Sequence, residues 1–294
     1  MGALLIVNPR ASNVSATLVE RIVAELPPDL QVVETGGPGE ATELARERED
    51  AVDAIYSLGG DGTYNEVLNG VAGRVPLGFL PGGGTSVLPR ALGVGRDPVT
   101  AARVVARGST RRIGLGRVNG RRFAFNAGVG FDAELVRRID ELGRGDDGRR
   151  PGDAAFVRAA VGMIAGRRGR FPPALAIEGA GRAAFALVAN CDPYTYAGRI
   201  PVRASRGASF DRGLDIVAPV SVGPAGVLRL LFELRRGTTG RRGLTVLHDA
   251  ERVVVRCDAP MPLQVDGEDL GDVETAVFEA ERDAVDVFVP GPDA

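Results

Sequence analysis

The feature that most constrains this chain is a pair of glycine-rich segments, each placed directly after a short apolar run and directly before a helical pattern. Leu58-Gly59-Gly60-Asp61-Gly62-Thr63-Tyr64-Asn65-Glu66-Val67 follows the run at 54–58, and Leu80-Pro81-Gly82-Gly83-Gly84-Thr85-Ser86 follows the run at 77–80. A backbone that leaves a buried strand through several glycines and enters a helix presents a nest of N–H groups at the helix N-terminus, a geometry suited to phosphate. Asp61 in such a nest is unfavourable beside a phosphate unless a cation intervenes, so it points to Mg²⁺ or to proton transfer near a transferred group. One such loop alone reads equally well as a tight strand-to-helix turn with Asp61 as its N-cap. Two of them, bordered by Asn8-Pro9-Arg10 after a third apolar run, mark a crevice at the carboxyl ends of parallel strands, where open α/β sheets place ligands.

The surrounding pattern supports that architecture. Up to about residue 110, strand-like runs at 3–7, 30–33, 54–58 and 77–80 alternate with helical patterns at 15–26, 40–49, 64–71 and 98–107. The spacing Leu18, Val19, Ile22, Val23, Leu26 is helical. Such alternation predicts a parallel α/β sheet. From about residue 111 the runs are mostly strands. Those at 113–118 and 122–125 are joined by Asn119-Gly120, a strong hairpin signal. Others lie at 174–177, 183–189, 214–217, 252–256, 261–265, 275–278 and 285–289, with helical segments at 154–165 and 225–234. The expected organisation is an α/β domain over 1–112, completed by a returning strand within 284–294, and a β-sandwich domain over 113–283. The polar, glycine-rich stretch 143–152 is expected to be a mobile loop.

Composition excludes several chemistries. The 294 residues carry 36 basic against 38 acidic side chains, which rules out a uniformly basic nucleic-acid coat; no nucleic-acid partner is expected. Every basic residue is arginine, so neither a P-loop lysine nor lysine Schiff-base chemistry is available. Cys191 and Cys257 form no C-x-x-C pair and read as inert core thiols in a reducing cytoplasm. The first apolar run is shorter than a signal-peptide core, and no stretch approaches the roughly 20 apolar residues of a membrane span. Membrane contact is therefore expected to be peripheral. His248 is the only histidine and reads as structural.

Taken together, the motifs resemble those of the diacylglycerol kinase/sphingosine kinase lipid kinase family, which includes bacterial diacylglycerol kinases. The matching pieces are Asn8-Pro9, Gly59-Gly60-Asp61-Gly62-Thr63 with Asn65-Glu66, the loop 81–85, Asn126-Ala127-Gly128-Val129-Gly130-Phe131-Asp132, and Asp266-Gly267-Glu268. The resemblance implies an N-terminal α/β nucleotide-binding domain of the NAD kinase/diacylglycerol kinase type, a C-terminal β-sandwich, and an active site between them. It also implies transfer of the ATP γ-phosphoryl group to a lipid hydroxyl with Mg²⁺, with diacylglycerol as the expected acceptor and phosphatidate as the product.

Carried over residue by residue, the resemblance makes Gly59, Gly60, Asp61, Gly62 and Thr63 the phosphate cradle, with Asn65 and Glu66 behind it. Gly84 and Thr85 would line the nucleotide site, Asn8 would close it, and Thr35 would touch the nucleotide. Glu268 resembles the family's general base on the acceptor hydroxyl, with Asp61 as its rival; without the resemblance, Asp266-Gly267-Glu268 is a hairpin turn. The segment Ala208-Ser209-Phe210-Asp211-Arg212-Gly213-Leu214-Asp215 is similar to the family's metal-binding turn. Asp211 would offer a carboxylate, and Ala208 and Gly213 main-chain carbonyls, with the register open by one residue and a solvated turn as the alternative.

One departure stands out. Where the family has Asn-Asp after the second loop, this chain has Val87-Leu88, so a metal–water network relying on that Asp is rebuilt or lost, and Asp132 is a candidate to supply some of the charge. A lipid acceptor implies a cytoplasmic protein associating with the inner membrane face. Residues 154–170, with Phe156, Val157, Ala160, Val161 and Ile164 on one face and Arg158, Arg167, Arg168 and Arg170 around it, are the candidate surface; the alternative is a helix covering one face of the second domain. Arginine pairs such as Arg121-Arg122 and Arg241-Arg242 read as solvent-facing. An NAD kinase-like soluble acceptor and a nucleotide-binding regulator without transfer activity are the rival functions. The oligomeric state is not set by the sequence, and a homodimer stays open.

Overall fold

The computed structural model describes residues 2–143, 151–236 and 243–291. The chain divides into two compact units, Met1–Gly114 with Asp283–Ala294, and Leu115–Arg282.

The first unit alternates strands and helices: β1 Ala3–Val7, α1 Ala16–Val23, β2 Leu30–Glu34, α2 Glu40–Arg48, β3 Ala54–Gly59, α3 Asp61–Gly70, β4 Leu77–Pro81, α4 Val87–Ala91 and α5 Pro98–Arg107. Strands run in the order β2-β1-β3-β4, all parallel, and Val287 near the end of the chain pairs parallel with Leu77 on β4. Every residue of β1, β3 and β4 is buried, which is why these strands read as continuous apolar runs and not as alternations. Local signals fix the helix starts. The Ser15 hydroxyl accepts the Leu18 N–H at the head of α1, and Asp97 accepts the Thr100 N–H at 2.7 Å ahead of Pro98, the first residue of α5. α3 starts at Asp61 and not at 64, because Gly60 is already the extended cap.

The second unit is mostly antiparallel. Its elements are β5 Ser109–Val118, β6 Arg121–Phe123, β7 Asn126–Val129, α6 Phe131–Glu141, α7 Asp153–Gly166, β8 Leu175–Ile177, β9 Gly181–Ala183, β10 Ala186–Ala189, β11 Thr195–Ala197, β12 Ile200–Val202, β13 Leu214–Pro219, α8 Pro224–Arg236, β14 Leu244–Ala250, β15 Arg252–Val265 and β16 Glu268–Val289. β5 begins and β16 ends in the first unit. The order is β14-β13-β10-β7-β15, with β8 and β9 extending from another part of β15. Alternation along β10 and β13 divides the core in two. Ala186, Val188 and Ile216 face a cluster with Val129, Val255, Val265 and Phe278, whereas Leu187, Ala189 and Val217 face one built on Phe171, Phe185 and Tyr194, against which Ile164 of α7 and Val227 of α8 pack. Asn119 and Gly120 both take positive φ, 48° and 88°, as the tight β5–β6 hairpin requires.

Several expectations need correction. α6 was not anticipated, although Ala133, Val136 and Ile139 are its buried stripe at helical spacing. The run at 183–189 is broken into β9 and β10. The runs at 252–256 and 261–265 are one strand, as are those at 275–278 and 285–289. Register shifts between Arg256 and Met261 and between Pro262 and Gln264 let β15 continue past two prolines. Arg121 and Arg122 are not simply solvent-facing: Arg121 pairs with Glu268, and Arg122, with 11% of its side chain exposed, pairs with Glu281. Cys257 is only half-buried. The polar stretch at 144–150 and the pair Arg241-Arg242 lie outside the described residues.

Candidate active site

In the first unit, three strand ends are stitched together by backbone and side-chain bonds. The Gly82 N–H donates to the Gly59 carbonyl at 2.7 Å, joining the two glycine loops. Asn13, after β1, donates its backbone N–H to the Gly82 carbonyl and its side-chain amide to the Gly83 carbonyl, each at 2.9 Å. The Asn8 amide donates to the Thr63 hydroxyl at 3.0 Å. Tyr64, fully buried, places its hydroxyl 2.8 Å from the carbonyls of both Gly59 and Leu80, and burial pushes its pKa well above that of an ordinary phenol. The sequence reading missed Tyr64 and Asn13 as organisers of this site.

The glycines of the two loops fall into two sets. A Cβ on Gly83 would lie 2.8 Å from the Gly60 Cα, and one on Gly59 would lie 2.6 Å from the Thr63 hydroxyl. Gly83 is glycine because the two loops pack against each other, and Gly59 because the first turn of α3 packs back onto it. By contrast, a Cβ on Gly60 would meet only the Gly83 Cα, at 3.7 Å, and one on Gly62 or Gly84 would meet nothing within 4 Å. Packing within the chain gives no reason for glycine at these three positions. They leave open space at the first turn of α3, whose cap residue Gly60 offers no side chain to the N-terminal N–H groups. Amides at a helix N-terminus beside such space fit a phosphate chain.

The other residues expected at the nucleotide have these partners within the unit. The Glu66 carboxylate accepts the Ala41 N–H at 3.2 Å in the first turn of α2, and its carbonyl accepts the Thr42 hydroxyl at 2.9 Å, so this side chain is committed to the α2–α3 contact. Asn65 is fully buried, and its backbone carbonyl and side-chain oxygen accept the Asn69 amide. Thr35 is buried with its backbone N–H on the Val7 carbonyl. Thr85 follows the exposed Gly84 and has its carbonyl 3.5 Å from Arg90. Asp61 accepts the N–H groups of Val87 and Leu88 at 2.8 and 3.3 Å.

In the second unit, Asp266-Gly267 forms the two-residue turn joining β15 to β16, with φ of 49° and 80° and Val265 paired to Glu268. Both signs match the primed turn that such hairpins favour. The buried Asp266 carboxylate points inward and accepts three consecutive backbone N–H groups, from Ala124, Phe125 and Asn126, at 2.7, 3.0 and 3.2 Å. Gln264 is equally buried. Its carbonyl accepts the Gly267 N–H at 2.9 Å, and its amide donates to Asn126 at 3.0 Å and to Asp132 at 2.6 Å. Tyr194 donates to Asp132 at 2.6 Å. Burial raises the Asp132 pKa, and the bonds from Tyr194 and Gln264 oppose that rise. Glu268 leaves the turn half-exposed, 3.0 Å from the Arg121 guanidinium.

The turn expected to hold a metal lies elsewhere in the second unit. Asp211 bonds to the Ser209 hydroxyl at 3.2 Å, and the Asp211 carbonyl is 3.5 Å from Arg282. Asp249 ties this turn down. It accepts the Gly213 N–H at 2.6 Å and pairs with Arg282, and these contacts, the Gly213 bond first, hold its pKa below the usual carboxylate value. Asp249 was not singled out in the sequence because its partners are 36 and 33 residues away. Among the described residues no group of three or more His, Cys, Asp or Glu side chains is placed to hold a metal ion. His248 bonds to the buried Asp215 at 2.8 Å, and Asp215 also accepts the Ser205 hydroxyl.

A parallel sheet with two facing glycine loops, followed by a β-rich part, places the chain in the α/β class that NAD kinases and diacylglycerol kinases share. Residues 2–118 match the model of the diacylglycerol kinase catalytic domain. A diacylglycerol kinase of Bacillus subtilis is 45% identical over 105 residues, which span 33% of this chain and 34% of that relative, so the match covers about a third of each. A solved Bacillus anthracis structure, provisionally named a diacylglycerol kinase, shares the fold at TM-score 0.76 and 23% identity, over 100% of this chain and 98% of its own. An Archaeoglobus fulgidus NAD kinase solved with ATP aligns at TM-score 0.52 and 14% identity, over 99% and 94%. Among the described residues no helix is long and apolar enough to cross a membrane.

Proposed function

We propose that this chain is an ATP-dependent lipid kinase that transfers the γ-phosphoryl group to a lipid hydroxyl, with diacylglycerol as acceptor and phosphatidate as product. The observation that carries the reading is the open space at Gly60, Gly62 and Gly84, where a side chain would meet nothing tight in the protein itself. The amides of the α3 first turn are the donors for the phosphate chain. In a loose phosphoryl-transfer transition state, positioning and charge stabilisation dominate, and a weak base suffices. Glu268 takes that role, accepting the proton of the acceptor hydroxyl as its oxygen bonds to the γ-phosphorus and the bond to ADP breaks. Mg²⁺ would supply charge neutralisation on the phosphates when bound.

The acceptor class comes from the matching domain model and from the relatives' names. A cytoplasmic protein meeting the inner membrane face is consistent with α7, where Val157 and Val161 are exposed beside Arg158; Ile164, expected on the same face, packs inward instead. An NAD kinase-like soluble acceptor is the alternative suggested by fold alone. Incubation with labelled ATP and mixed micelles of candidate lipids, with NAD as the soluble control, tests the reading: label in the lipid phase supports it, and label in NAD selects the alternative.

A further inference from the structure

We infer that Asp61 is a positioning residue for the second glycine loop, holding it through the head of α4, and is neither a cation ligand nor the base. The inference rests on the nucleotide reading of the two loops and narrows it. Asp61 opens α3, yet one of its carboxylate oxygens accepts the backbone N–H groups of Val87 and Leu88, at 2.8 and 3.3 Å, in the first turn of α4. Those two residues are 2% and 0% exposed, so their N–H groups have no water to turn to. An unsatisfied buried N–H is costly, and the carboxylate removes that cost for two of them.

The residue before α4 explains why a clamp is needed. Ser86 takes φ 48° and ψ 61°, a left-handed conformation that a non-glycine residue adopts at a cost, and its side chain does not cap the helix. The cap therefore comes from outside the helix, from Asp61. The apolar pair Val87-Leu88 has no side chain that could reach a cation, and its backbone binds Asp61 instead. Gly84 and Thr85 lie within the loop that this clamp closes. The shape of the loop thus depends on an acceptor oxygen at position 61, and not on a negative charge there.

Two variants of the full chain separate the roles. Asparagine keeps the acceptor oxygen and loses the charge; alanine loses both. Amide hydrogen exchange without nucleotide is expected to show Val87 and Leu88 protected in the parent and in Asp61→Asn, and exchanging at least tenfold faster in Asp61→Ala. ATP titrations at several Mg²⁺ concentrations are expected to show the parent's Mg²⁺ dependence in Asp61→Asn and at least tenfold weaker ATP binding in Asp61→Ala. A Mg²⁺ requirement shifted tenfold or more in Asp61→Asn would make Asp61 a cation ligand and overturn the inference. So would Val87 and Leu88 exchange that is unaffected in Asp61→Ala. Should Asp61→Ala fail to fold, the Mg²⁺ dependence of Asp61→Asn decides alone. A parent protein that binds no ATP refutes the nucleotide reading, while the exchange data still decide whether the clamp exists.

Discussion

The carboxylate of Asp266 accepts the backbone N–H of Ala124 at 2.7 Å, from 142 residues along the chain. The same carboxylate takes the next two amides, and Gln264 holds the Gly267 N–H. The turn that presents Glu268 is thus fixed from inside the second unit, and the Asp-Gly pair that a sequence reading treats as turn chemistry is also an internal anchor.

Replacing that anchor should be expensive. Asp266→Ala leaves three amides at 124–126 without their acceptor, and hydrogen bonds to charged groups contribute about 1.5–3 kcal/mol each. A loss of about 3 kcal/mol or more in urea unfolding is expected, with Asp266→Asn retaining part of the stability. A loss under about 0.5 kcal/mol would contradict the anchoring role.

The glycine loops give a paired test. Gly60→Val has room in the empty protein, so it should fold with a near-parental Tm and lose ATP binding measured by calorimetry. Gly83→Val places its Cβ 2.8 Å from the Gly60 Cα and should be strongly destabilised instead. ATP affinity unchanged in Gly60→Val would remove the phosphate-cradle reading.

Asp97 provides a pH test. Its bonds from Thr100, the side chain first and the backbone N–H second, lower its pKa from the ordinary 3.8. A depressed carboxylate stabilises the fold fully above its unfolded value, and that contribution is lost as pH falls through the folded value. Asp97→Ala should therefore cost about 1 kcal/mol at neutral pH, the usual worth of an N-cap. The gap to the parent should narrow below the ordinary 3.8. A gap that is constant from neutral to acid pH would show that the charge is irrelevant there.

Glu268→Gln tests the base. It should lower turnover by about 10²-fold or more, the usual scale of general-base catalysis, with ATP binding retained. Parental turnover would remove Glu268 from the chemistry.

The first unit was legible because its signals are local. Asp97-Pro98 starts α5, and the buried parallel strands are apolar throughout. The hairpins at Asn119-Gly120 and Asp266-Gly267 were legible for the same reason, since each needs two positive φ values in a row. The second unit obscured its continuity: β15 runs through two prolines by shifting register, and α6 begins at Phe131, inside the Asn126–Asp132 motif, whose resemblance drew the reading away from the helical spacing that starts there. At the candidate site the glycine loops could be read, but the partners could not. That Glu66 reaches Ala41 and that Asp61 reaches Val87 depends on which helices pack together, with separations of 25 and 26 residues.

The central claim is phosphoryl transfer to a lipid, and the most direct measurement follows the γ-phosphate. The protein incubated with [γ-³²P]ATP, Mg²⁺ and diacylglycerol in mixed micelles should place label in the organic phase as phosphatidate, with transfer reduced by Glu268→Gln and abolished by Gly60→Val. ATP bound tightly with no label in any lipid of the panel, or label recovered on NAD in the absence of micelles, would contradict it.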